Sequence, residues 1–451
     1  MGEWTGRTAT EIAAAVRDGK VTAREVVREH LDRIAALDGE IGAFVRVRGD
    51  AALREAERLQ ERGGLADLPL AGVPVAIKDN IPVAGEPMRS GSAATPAERQ
   101  DADHPVVARL RAAGAIIVGS TNLPELGIYP FTDSAYGVAR NPWELRRTPG
   151  GSSGGAAAAV ASGMVPIAHG NDGAGSIRIP AADCGLVGVK PGSGVVPAEI
   201  GVDSWGGMSE NGPLATTVAD AALTLAVMAG APPAPVVEEL TGLRIAASVK
   251  SPVIGVSIHP EFRAAVRQAA ALLRDTHRVV HADPPIPLWL GPAITARWTA
   301  YPARDAAPYL GGGELEQRTL THLKAGQVLS RLRPPCNQDR ARLRAAVEPF
   351  FAEHDVLLMP ALAQYAPRAR RWGERPWVQS FLLSIRHAPM TGAWNLAGYP
   401  AASVPMGVGA NGLPLAVQLV GRPGGENILL GVAAQLERLH PWSRLAPAYT
   451  G

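Results

Sequence analysis

The chain has 451 residues, 46% of them hydrophobic and 19% charged, with 44 basic side chains against 42 acidic ones for a net charge of +2. That composition supports a sizeable core, and the balanced charge gives no electrostatic case for a nucleic-acid or membrane-surface partner. Two cysteines, Cys184 and Cys336, stand outside any CxxC pair or Cys/His cluster, which argues against a disulfide framework or a structural zinc site.

The N-terminal stretch mixes polar and apolar residues without a basic start and a long apolar run, and no run of about 18 apolar residues follows. Neither a signal peptide nor a spanning helix is therefore expected, and the default location is cytoplasmic. Ala9, Ile12, Ala13 and Val16 space an apolar helical face, Asp18-Gly19 breaks it, and Thr22 is placed to cap a second helix through Ile34. Residues 51–62 continue as a charged helix. The run 73–77 is short, apolar and bounded by turn residues, the pattern of a buried strand. A helix over 105–113 leads into a strand over 115–118, an alternation that favours a mixed or parallel sheet covered by helices.

Residues 146–212 are rich in Gly, Ser, Ala and Pro, yet apolar runs at 156–161, 164–168 and 186–189 interrupt them. A flexible linker does not carry core segments, so these glycines mark places where backbone approaches a ligand. The pattern then predicts an amphipathic helix over 214–230 and weak signals from 231 to about 345. Strands follow at 356–360, 401–405 and 415–420, with a last helix over 427–439. Strand-rich segments on both sides of one motif-dense centre predict an α/β protein: a single α/β/α domain over residues 1–451, with a central mixed β-sheet covered by helices.

Three segments carry candidate chemistry. The chain holds 39 arginines and only five lysines, so Lys78, at the end of a buried strand, stands out. Lysine loses its proton when desolvated and arginine does not, which makes Lys78 a candidate general base; a lysine that snorkels to solvent is the plainer alternative. Gly150-Gly-Ser-Ser-Gly-Gly155 lacks the Gly-Lys-Ser/Thr continuation of a phosphate cradle. It matches GxSxG about Ser153, but that motif needs a preceding strand, and 146–149 reads as a turn. A helix start capped by serine also accounts for it. Gly173-Ala-Gly-Ser176 places a hydroxyl after three minimal side chains, where main-chain N–H groups can converge as an oxyanion hole requires; a tight turn is the alternative. Arg178 and Pro180 then signal a helix start. A serine nucleophile needs a base. His169 has no carboxylate placed to orient it, whereas a neutral lysine acting through a second serine is chemically sufficient.

Taken together and in this order, Lys78-Asp-Asn80, Gly150-Gly-Ser-Ser-Gly-Gly155 and Gly173-Ala-Gly-Ser-Ile-Arg178 resemble the amidase signature family, and Lys78 precedes Ser152 by 74 residues and Ser152 precedes Ser176 by 24. Segments 119–125, 141–143, 188–191 and 412–418 are similar too. The resemblance covers 8–232 and 346–440, with a signature core over about 65–230 and a divergent, substrate-side insertion over about 233–345. It implies that Ser176 is the nucleophile, that Ser152 follows a cis peptide and bridges, and that Lys78 is the neutral base. It places Gly173, Ala174, Gly175 and Ser153 among the oxyanion and substrate-binding residues. No metal and no organic cofactor is implied. The partners expected are a small-molecule amide and water, with a homodimer left open.

The activity implied is hydrolysis of a small apolar or aryl amide through an acyl-enzyme on Ser176. Carbamate or ester hydrolysis by the same residues is an alternative, as are a glutamine amidotransferase subunit and a catalytically silent partner subunit. The amidotransferase type carries Gln after the arginine, where this chain has Ile179. Ala174 replaces a usual glycine and puts a methyl beside the oxyanion site. Pocket residues are expected in 126–131, 203–208 and 290–340, with Tyr129, Phe131, Trp205 and Trp394 as aromatic candidates. Lys78→Arg is expected to abolish turnover with the fold nearly intact.

Overall fold

The apolar runs become the interior of one large sheet. In the computed structural model, which describes residues 2–237, 239–310 and 314–450, the strands are β1 (Phe44–Val47), β2 (Pro74–Lys78), β3 (Ile116–Thr121), β4 (Asp133–Ser134), β5 (Gly137–Val138), β6 (Ile167–Asp172), β7 (Val187–Lys190), β8 (Glu210–Ala215), β9 (Arg244–Ala247), β10 (Arg278–His281), β11 (Val356–Pro360), β12 (Ala401–Val408) and β13 (Pro414–Gly421). All but the β4–β5 hairpin join a sheet in the order β1-β3-β2-β6-β8-β7-β12-β13-β11-β9-β10. β2 runs parallel to β3 and β6, and β9 runs parallel to β10 and β11. The remaining pairs are antiparallel, so the sheet is mixed. Every residue of β2, β3, β6 and β8 is buried, as helices on both faces require.

The first two helices, Ala9–Arg17 and Ala23–Ile41, begin at complete capping boxes, Thr8 with Glu11 and Thr22 with Glu25. The helix Gly154–Ala161 is wholly buried and built of small residues. A Cβ on Gly155 would fall on Ala43 O and stand 2.5 Å from Asn122 N, so the helix can approach β1 and β3 only with glycine there. Gly155→Ala is expected to cost about 1–3 kcal/mol, read by urea unfolding; a change within about 0.5 kcal/mol would mean the helix shifts freely.

The stretch 214–230 is not one helix. Residues 210–215 form β8, a central strand, and Thr217 then caps the helix Val218–Ala229. Asn211, Gly212 and Pro213 all disfavour a strand by propensity, but β6 and β7 supply pairing on both sides. Gly212 leaves room for Val189 O of β7. From 231 to 345 the chain is richer in structure than its weak signals suggest. β9, the helix Pro260–Leu273 and β10 complete the far edge of the sheet. The helices Leu290–Ala306 and Gln317–Leu332 pack over Tyr129 and Phe131 in a second, smaller core. Pro302 lies inside the first of these helices and masked its periodicity. Residues 311–313, within the expected pocket stretch 290–340, lie outside the described residues.

Parallel pairing of β2 with β6, Val75 opposite Ile167 and Ala76 opposite Ala168, sends both strands to the same edge of the sheet. Lys78 and Asn171 therefore arrive together at strand ends, where parallel sheets place their sites.

Candidate active site

Lys78 is 0% exposed. Its Nζ donates to Ser152 Oγ at 2.8 Å and to Asn171 Oδ1 at 2.6 Å. Asn171 in turn donates through Nδ2 to Asn80 Oδ1 at 2.7 Å, which fixes its amide with the oxygen towards the lysine. Burial lowers the Lys78 amine to about 7, against a smaller upward pull from Asp172. Near neutral pH a large fraction of the amine is therefore uncharged and able to accept a proton from Ser152.

His169 is no rival. Its Nδ1 accepts the Lys78 main-chain N–H at 3.4 Å, so its Nε2 carries the proton and donates to Asn211 Oδ1 at 2.8 Å. Burial lowers the ring to about 3 and keeps it neutral. Both nitrogens are engaged away from the serine hydroxyls.

The Gly151–Ser152 peptide is cis. A Cβ on Gly151 would stand 2.7 Å from Phe131 N and Tyr129 O, which accounts for glycine. Ser153 departs from its expected place among the substrate-binding residues. Its hydroxyl donates to Asn171 O at 3.2 Å and accepts the Asn171 N–H at 3.3 Å, so it straps the loop to β6. It gives no cap to the helix that follows. Its main-chain N–H donates to Ser176 O at 3.2 Å and ties the two serine loops together.

The loop carrying Ser176 closes on a buried ion pair. Asp172, the last residue of β6, meets Arg178 through Nε at 2.8 Å and Nη2 at 2.9 Å, and both side chains are 0% exposed. Arg178 also donates to Gln418 Oε1 and Asn395 Oδ1, each at 2.6 Å. Burial alone would raise the Asp172 carboxyl, but Arg178 reverses this and holds it below the usual carboxylate range. Asp172 Oδ1 accepts the Gly175 N–H at 2.6 Å. That donor is engaged within the loop, which removes Gly175 from the expected oxyanion residues and leaves Gly173 and Ala174.

Replacing one partner strands the other charge. Arg178→Met is expected to destabilise the protein by about 3–5 kcal/mol, measured by urea unfolding; a loss below about 1 kcal/mol would mean that the pair contributes little. Sequence reasoning saw Arg178 as a helix start and as the end of the Ser176 segment, and missed its partners Asp172 and Asn395. Gln418 was visible as the end of the segment 412–418.

Ser176 is half-buried where two cavities meet. One, of about 230 Å³, is bounded by Asn80, Ser152, Asn171, Trp205 and Asp305. The other, of about 190 Å³, is bounded by Ile128, Tyr129, Ala174, Ile179, Trp298 and Ile385. Of the expected aromatics, Tyr129 and Trp205 line these cavities. Phe131 lies behind, its ring stacked on Tyr129 with centroids 5.7 Å apart, and Trp394 borders a separate cavity. Trp298, from the weakly patterned stretch, takes the place they leave and donates through Nε1 to Ile128 O at 2.7 Å. Among the described residues no group of three or more His, Cys, Asp or Glu gathers as a metal site, and no helix is long and apolar enough to cross a membrane.

A profile of the family described as Amidase matches residues 25–430. The chain belongs to this amidase family. The amidase is 42% identical to the protein named "Putative amidase AmiB2" of Mycobacterium tuberculosis, over 97% of this chain and 96% of that protein. Its fold is similar to that of a solved 6-aminohexanoate cyclic dimer hydrolase, with a TM-score of 0.90, 32% identity and 100% of both chains covered. It is similar also to a bacterial aryl acylamidase of the amidase signature family, with a TM-score of 0.83 and 25% identity over 98% of this chain and 97% of that one. The α/β fold with its mixed sheet is the one its sequence segments resembled, and the amidase is an amidohydrolase.

Proposed function

We propose that the enzyme hydrolyses a small amide with an apolar or aryl acyl group through an acyl-enzyme on Ser176, with Lys78 as base and Ser152 as relay. The observation that carries this reading is the buried Lys78 amine, lowered to about 7 and 2.8 Å from the Ser152 hydroxyl. Ser176 Oγ gives its proton to Ser152 Oγ as Ser152 gives its own to Lys78 Nζ, and Ser176 attacks the carbonyl carbon. The oxyanion then forms against the N–H groups of Gly173, Ala174 and Ser176. As the C–N bond breaks, the proton returns through Ser152 to the leaving amine. Water repeats the sequence on the acyl-enzyme and restores Ser176. Carbamates and esters pass through the same oxyanion and suit the same groups.

The apolar cavity beside Ala174 supports an uncharged acyl half over a polar one such as that of glutamine. An activated aryl phosphonate followed by peptide mass mapping is expected to find the adduct on Ser176. Absence of an adduct under conditions that label another serine amidase would overturn the assignment.

Two variants refine it. Lys78 is enclosed, so Lys78→Arg would bury a bulkier, permanently charged group, and near-intact folding is no longer the expectation. Lys78→Met is the better replacement. The Ala174 methyl borders the acyl cavity, and Thr391 Oγ1 holds the Ala174 carbonyl in place. Ala174→Gly is expected to raise kcat/KM for branched or aryl acyl groups about tenfold relative to acetyl amides, measured on a matched substrate series.

A further inference from the structure

Asp305 is a carboxylate inside a cavity that reaches Ser176, and the proton relay does not use it. It stands in the last turn of the helix Leu290–Ala306. Its Oδ1 accepts the Val202 N–H at 2.6 Å and its Oδ2 accepts the Trp205 Nε1–H at 3.0 Å. An ionised carboxylate accepts about four hydrogen bonds, so both oxygens keep acceptor capacity. Among the described residues no cation lies within ion-pair distance of it. The neighbouring charge that acts on it is a second carboxylate, Asp203, which pairs with Arg304 at 3.6 Å near the surface. Burial pushes the Asp305 carboxyl upward, against the hydrogen bonds it accepts from Val202 and Trp205.

The relay decides which half of a substrate meets Asp305. The leaving amine takes its proton from Ser152, so the amine half lies on the Ser152 side of Ser176. Asp305 bounds that same cavity, whereas Ala174 and Ile179 bound the other. The acyl half then fills the apolar cavity. A dry aliphatic cavity of about 150 Å³ holds a benzene ring, so the 190 Å³ on this side accepts an aryl or short branched acyl group.

We propose that Asp305 selects amides whose amine half ends in a protonated amine, so that the substrate class is aminoalkyl amides of apolar acids. This rests on the reading of Ser152 as the relay that protonates the leaving group. The plain alternative is that Asp305 only pins the loop over Ser176, where Glu199, Asp203, Ser204 and Trp205 all have positive φ.

A substrate pair separates the two: one aryl acyl group joined either to an aminoalkyl amine or to an alkyl amine of equal length. The parent enzyme is expected to favour the cationic member by about tenfold or more in kcat/KM, and Asp305→Asn is expected to bring the ratio near one. A loop-pinning role lowers both substrates alike and leaves the ratio unchanged. A parent ratio near or below one, or a ratio that Asp305→Asn leaves intact, overturns the proposal. Calorimetric binding of the same pair to Ser176→Ala, with and without Asp305→Asn, reads the selectivity without turnover. A binding preference that vanishes with Asp305→Asn while the parent cleaves neither substrate would refute the hydrolytic role of Ser176 and keep the cation site. Equal binding with turnover intact would refute the cation site alone.

Discussion

Ser176→Ala is expected to lower kcat by about 10⁴-fold or more while the fold survives, because the variant removes only the hydroxyl proposed to attack the carbonyl. Ser176 is half-buried at a cavity junction, so alanine leaves neither a large void nor a stranded buried charge. The loop around it is held by Asp172 and Arg178, which the substitution does not touch. Urea unfolding should therefore stay within about 1 kcal/mol of the parent. Turnover within tenfold of the parent on any aryl amide would remove Ser176 from the chemistry.

The second large effect is on pH. As the proposed base Lys78 must be neutral to take a proton, and its amine is lowered to about 7, so a protonated, inactive form is expected to accumulate as pH falls. kcat/KM is expected to be flat above about pH 8 and to drop tenfold per unit below about 6, since this ratio reports groups of the free enzyme. Two other groups are pushed to about 7 by burial, Asp79 and Glu316. Asp79 accepts the Arg89 N–H, and Glu316 pairs with Arg318. Neither bonds to Ser152 or Ser176. Asp79→Asn is thus expected to preserve the acid limb, whereas Lys78→Met should lower kcat/KM by about 10³-fold or more at every pH. A limb that disappears in Asp79→Asn would reassign the titration.

What could be read beforehand followed from residue chemistry that stays local. Lys78 stood out because the chain otherwise uses arginine, and Thr22 announced its helix through a cap complete within four residues. The segments around Ser152 and Ser176 were legible for the same reason. β8 was not, because Gly212 and Pro213 are tolerated only by strands far away in sequence. The role assigned to Ser153 failed because a side chain's direction depends on which neighbour accepts it, here Asn171. Gly175 failed likewise, since Asp172 claims its N–H. Trp298 and Asp305 fall within the expected pocket stretch 290–340, but Pro302 breaks the helix period there, so neither residue could be singled out.

The ion pair beneath the Ser176 loop also joins it to residues from late in the chain. Arg178 completes its shell with Thr391, Asn395 and Gln418, residues made more than 200 positions later. A ribosome-bound chain that has emerged only to residue 390 already carries Lys78, Ser152 and Ser176, yet it lacks three of the acceptors that hold Arg178 beneath the Ser176 loop. The arrangement of the Ser176 loop is therefore complete only once β13, which carries Gln418, has joined the sheet.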